Sequence, residues 1–140
     1  MSIDIIKSRL TQYNLNKGQY IEVDKSKAYK KQIVLHHTAG GSAKSSIDYW
    51  NNSADKVGTA FVIDRCGKIL QAFPSWCWAY ALGINQANYK LIESQAIQIE
   101  LANYGQLKMY GNSVHHEFYS AYGNRSEEHT SELQSHSDLV

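Results

Sequence analysis

The run QIVLHHTAGG at positions 32 to 41 constrains this chain most. Apolar Ile33, Val34 and Leu35 lead into adjacent histidines, His36 and His37, and then into a turn of small residues. β-Branched side chains favour extended backbone, so the run predicts a buried strand over Gln32 to His36 that delivers imidazoles to a sheet edge. The small residues beyond it leave the space around those rings open. Such an imidazole can ligate a metal, or it can be an ordinary polar group satisfied at a strand end.

A second strand is predicted over Ala96 to Leu101, where Ile97, Ile99 and Leu101 alternate with Gln98 and Glu100. A carboxylate in such a run is costly to bury unless it is paired, hydrogen-bonded or held beside a metal. The alternative is a half-exposed strand whose polar side is wet. If the two strands are neighbours, Glu100 can face the same cleft as His36.

The remaining pattern is α/β. Residues 4 to 12 carry apolar spacing for a short amphipathic helix. Gly40, Gly41 and Ser42 open another, with Ala43, Ile47, Trp50 and Ala54 three or four residues apart on one face. Gly58 to Asp64 and Lys68 to Phe73 read as strands joined by Arg65-Cys66-Gly67, where Gly67 supplies positive φ, and Pro74 ends the second. There is no internal repeat and no low-complexity linker. Length allows one domain, with 43% hydrophobic residues to fill its core.

Ten tyrosines and three tryptophans against three phenylalanines suit either a carbohydrate or peptide cleft or an amphipathic core boundary. No apolar run is long enough to span a bilayer, and MSIDIIKSRL lacks the apolar centre and cleavage site of a secretory signal. Cys66 and Cys77 fit no zinc or redox spacing and are expected as free thiols.

Four blocks in order, IVLHHTAGG (33 to 41), VGTAFVIDRCGKILQAF (57 to 73), WAYALG (78 to 83) and AIQIELANYG (96 to 105), resemble the zinc-dependent N-acetylmuramoyl-L-alanine amidases. That group includes the phage lysozyme-type amidases and the peptidoglycan recognition proteins. The resemblance implies a central mixed β-sheet flanked by helices, incomplete at its C-terminus. It also implies hydrolysis, by zinc-activated water, of the amide between N-acetylmuramic acid and L-alanine in peptidoglycan or a muropeptide. By the same resemblance Zn2+ is the cofactor, His36 a metal ligand and Glu100 the catalytic acid-base group. Thr38, Trp78 and Asn103 would line the cleft, and His37 would hydrogen-bond within the sheet. Ala81 stands where related sequences commonly carry histidine, and Thr59-Ala60 replaces a tyrosine- or histidine-bearing pair of some branches.

From Arg125 the sequence RSEEHTSELQS reads as the in-frame translation of a common sequencing adapter, and Leu139 and Val140 match it again. The chain is therefore expected to divide into a lead-in segment (1–31), a partial amidase domain (32–124) and a non-native tail (125–140). The tail holds Arg125 against four acidic residues. Without it the net charge moves from +1 to +4, a balance compatible with an anionic wall polymer and equally with ordinary solubility.

On this reading His129 and His136 have no function, and His115 and His116 match no ligand motif. The remaining zinc ligands are expected to be absent from this chain. Weak zinc binding, little amidase activity and exposed apolar surface follow as expectations. A monomer is expected, with no nucleic-acid or membrane partner, made in the cytoplasm as a phage or prophage endolysin. The competing reading is a non-catalytic peptidoglycan-binding module of the same fold.

Overall fold

The computed structural model describes residues 9–111 and 116–120. Residues 1–8, 112–115 and 121–140, including His115, His129, His136 and the adapter-like tail, lie outside them. The predicted strands and hairpin are present, but the strand at Gln32–His37, expected to be buried, is an edge strand with most of its residues exposed. A five-stranded sheet runs in the order β1-β4-β3-β5-β2, built from β1 (Leu10–Gln12), β2 (Gln32–His37), β3 (Phe61–Ile63), β4 (Ile69–Gln71) and β5 (Ala96–Leu101). It is mixed: β2, β5 and β3 are mutually parallel, β4 is antiparallel to β3, and β1 is parallel to β4. A separate antiparallel pair joins β6 (Leu107–Gly111) to β7 (His116–Ser120).

Of the helix expected over residues 4 to 12, Arg9 is helical, but Leu10, Thr11 and Gln12 are a correction, because they pair with Ile69, Leu70 and Gln71 as an edge strand. A three-residue strand is too short to show a period. The hydrogen bonds that β4 offers outweigh the local helical pattern. Just beyond β1, Leu15 enters the buried core.

Between β3 and β4 the reversal at Asp64 to Lys68 is tight. Gly67 has φ +78°, the amide of Gly67 donates to the Asp64 carbonyl, and the amide of Asp64 donates to the Lys68 carbonyl. Cys66 and Cys77 are free thiols, as expected.

Two α-helices are described end to end, α1 (Ala43–Asn51) and α2 (Tyr89–Ser94), besides a short 3-10 helix at Lys25–Lys27. The Ser42 hydroxyl caps α1 by accepting from the Ser45 amide. Ala43, Ile47 and Trp50 on its inner face pack into one cluster with Val62, Leu70, Ala72 and Phe73. Ala54 of the predicted stripe lies past the helix end and is exposed. On the outer face Tyr13 and Lys44 both donate to Asp48, at 2.6 and 2.7 Å. The Lys30 ammonium donates to the carbonyls of Cys77, Ser94 and Ala96, fastening the start of β5 to the loop beside it.

Register partners in a sheet share a side. One row therefore runs His36, Glu100, Val62, Leu70 across β2, β5, β3 and β4. The helix α1 covers this side, because Val62 and Leu70 belong to its cluster. The opposite side carries Ile33, Leu35, Ile97, Ile99 and Leu101, with Ile33 and Leu35 67% and 63% exposed. The alternation in β5 is thus as predicted, but its polar side points into the covered layer and its apolar side is the more open one.

Candidate active site

The ends of β2 and β5 meet at the site, and the backbone beyond them is tightly tied. The Thr38 amide donates to the Leu101 carbonyl at 3.0 Å, and the Ala102 amide to the Ile63 carbonyl at 2.8 Å. The Thr38 hydroxyl accepts from the amides of Gly40 and Asn103 and lies within bonding distance of both their carbonyls. One side chain therefore pins the turn after β2 to the turn after β5. Ala39, inside that turn, is held at φ +51°, and Gly105 opposite it at φ +67°. Left-handed backbone at a non-glycine residue is unfavourable and persists where surrounding contacts over-determine it.

A cleft of about 790 Å³ opens here, within the range of small-ligand sites. His36 and Glu100 line it from the sheet, Ser45, Ser46, Tyr49 and Trp50 from α1, and Thr59 and Ala81 from the facing loops. His36 and Glu100 are direct register partners. Glu100 is half-buried, and its carboxylate takes no hydrogen bond among the described residues. Burial pushes its carboxyl above the usual carboxylate range, while the nearby His36 and His37 pull it the other way. His37, expected to hydrogen-bond within the sheet, is exposed, and its ring makes no hydrogen bond among the described residues.

Of the three expected lining residues, Thr38 borders the cleft. Trp78 does not: its ring meets Tyr80 edge-on, with centroids 5.3 Å apart, and borders a small void with Gly58, Ala60 and Gln98. Asn103 lies just past β5, where its side chain accepts from the Gly105 amide and its main chain bonds Thr38.

A buried polar chain behind His36 escaped the sequence reading. His36 Nε2 lies 2.7 Å from Gln98 Oε1, and Gln98 Nε2 donates to Glu93 Oε2 at 2.5 Å. Glu93 Oε1 accepts from the amides of Ala81 and Leu82 at 3.2 and 3.0 Å. Gln98 and Glu93 are 4% and 1% exposed. The signal was available: Gln98 shares a strand side with Glu100, for which the alternation alone leaves a cleft face and a wet face both open. Ser45, Ser46 and Tyr49 also went unmarked, since from sequence they are only the polar face of α1.

The sequence model of the family described as N-acetylmuramoyl-L-alanine amidase matches residues 26–139. The chain belongs to the N-acetylmuramoyl-L-alanine amidase family. The match takes in all four motif blocks and runs on through most of residues 125–140. Comparison with curated proteins gave no match, and comparison with solved structures gave none either.

Membership carries the activity in general terms: amide hydrolysis in peptidoglycan, at the cell wall. No helix among the described residues is long and apolar enough to cross a membrane. The family is generally zinc-dependent. A catalytic zinc takes three protein ligands, and no group of three histidine, cysteine, aspartate or glutamate side chains gathers among the described residues. Those residues by themselves therefore do not fit a zinc ion.

Proposed function

We propose that this chain hydrolyses the amide joining N-acetylmuramic acid to the L-alanine of the stem peptide, in the cleft between the ends of β2 and β5 and helix α1. The supporting observation is that His36 and Glu100 are register partners lining one cleft. In this reading Glu100 is the general base and acid. Its half-buried carboxylate accepts a proton from the attacking water and returns it to the departing amine of L-alanine. A carboxyl whose affinity for protons is raised by burial suits both steps. Thr38 keeps the two strand ends together and borders the bound substrate. Tyr49, 72% exposed, offers aromatic surface on the α1 wall.

His36 is the metal ligand of this proposal among the described residues. A zinc ion held there would supply Lewis acidity and a more acidic water, but it would need ligands that the described residues do not bring together. A phage-type wall-lytic role belongs to the same reading and rests on the resemblance of the four motifs.

A second reading, a non-catalytic module that holds peptidoglycan, is favoured by the lack of a three-ligand group among the described residues. The two separate when the chain is incubated with peptidoglycan in zinc-supplemented buffer and newly freed L-alanine amino groups are counted. The proposal expects release, slow in keeping with the weak zinc binding expected of this chain, that Glu100→Gln suppresses. Sedimentation with the wall without any release would replace the proposal by the second reading.

A further inference from the structure

We propose that Glu93 and Gln98 are positioning residues that fix the tautomer of His36, placing its proton on Nε2 and leaving the lone pair on Nδ1. The inference rests on the reading of His36 as a working side chain of the cleft.

The argument follows donors and acceptors. Glu93 and Gln98 are 1% and 4% exposed, so water does not choose the direction of their bonds. The main-chain amides of Ala81 and Leu82 can only donate, and both aim at Glu93 Oε1. A carboxylate only accepts, so its other oxygen, Oε2, requires a donor from Gln98, and the amide turns its NH2 towards Glu93. That orientation leaves Gln98 Oε1 facing His36 Nε2 at 2.7 Å. An amide oxygen has no proton to give. The imidazole must therefore donate through Nε2, and in the neutral ring Nδ1 is then the unprotonated nitrogen.

The chain has one polarity from end to end. The opposite tautomer would set the Nε2 lone pair against the Oε1 lone pairs inside a buried site, where an unmade bond is costly. The backbone ends of the chain also explain why Glu93 and Gln98 are buried at all. Glu93 comes from α2, Gln98 from β5, and Ala81 and Leu82 from the loop that forms part of the cleft wall. The relay thus orients the ring and leaves it one fixed nitrogen, Nδ1, with a free lone pair.

The test is a long-range 1H–15N correlation spectrum of the full chain with labelled histidine, at about pH 8.5, above the ordinary imidazole pKa near 6.5. The His36 signals are assigned by their loss in His36→Ala. The wild-type ring is expected in the Nε2–H form by about tenfold or more, the ratio one buried hydrogen bond sustains. Gln98→Leu removes both of that side chain's bonds at similar volume, and Glu93→Gln removes the obligate acceptor. Each should move the ring towards a mixture of tautomers.

An Nδ1–H ring in the wild type would overturn the proposal, and that measurement needs no variant to fold. So would a folded Gln98→Leu chain that keeps the wild-type pattern. An Nε2–H ring in a chain that frees no L-alanine supports the relay and removes the proposed function. Amide cleavage by a chain whose ring is Nδ1–H removes the relay alone.

Discussion

His36 and Glu100 stand side by side on parallel strands, in register, on the side of the sheet that α1 covers. A base and an imidazole placed this way keep their spacing without help from loops, since both backbones are locked in one ladder. Changing Glu100 to Gln should leave the fold intact and slow amide hydrolysis by about 10²-fold to 10⁴-fold, the usual worth of a general acid-base group. The measurement is the rate of L-alanine amine release from muropeptide. Near-normal turnover would hand the proton transfer to another residue.

The close approach of Gly105 to Ala39 gives a stability prediction. A Cβ at Gly105 would sit 2.8 Å from the Ala39 Cβ, on backbone with φ +67°. Gly105→Ala should cost about 1–3 kcal/mol, from left-handed backbone and from overpacking. Urea unfolding of Gly105→Ala with and without Ala39→Gly measures it. Part of the loss should return in the double variant, and an unchanged midpoint in the single one would contradict the contact.

Asp48 accepts from Lys44 and, more weakly in effect, from Tyr13, and those bonds lower its pKa from the ordinary value of 3.8. The folded state thus prefers the ionised form. The stabilisation is complete above the unfolded value and is lost as pH falls through the folded one. Between pH 6 and pH 3 the urea midpoint of the wild type should therefore fall more steeply than that of Asp48→Asn. Parallel profiles would mean the two bonds contribute nothing on an exposed helix face.

The histidines of the tail give a metal prediction. If residues 125–140 are not native, changing His129 and His136 together to Ala leaves the zinc content of the purified chain unchanged, whereas His36→Ala lowers it. Elemental analysis of the dialysed protein decides. Stoichiometric, tightly held zinc that is lost with the tail histidines would overturn both the reading of the tail and the idea that the other ligands are missing.

Sequence carried the strands that hold the site because they announce themselves locally. Ile33 and Val34 before two histidines, and the alternation from Ala96 to Leu101, leave few other conformations, and Ser42 and Gly67 mark a helix start and a tight turn. Which side of β5 would be covered was not legible, because alternation gives the period and not the neighbour. Gln98 goes inward only because Glu93 and His36 are there to bond it. Trp78 looked like a cleft residue by its motif. Its ring instead lies against Tyr80, a placement set by the pairing of its backbone with Ile21. Leu10 to Gln12 form a strand only because β4 has an edge to offer.

The strand that carries His36 is also the last one in its sheet. Sheet therefore flanks the His36–Glu100 pair on the Glu100 side only, and among the described residues no further strand closes the other. A cell-wall polymer is cross-linked and effectively endless, so an enzyme that had to thread it through a tunnel would rarely start. On the proposed function, the His36–Glu100 pair on the border of the sheet can be laid against such a mesh from the side, wherever along its length the polymer happens to be met.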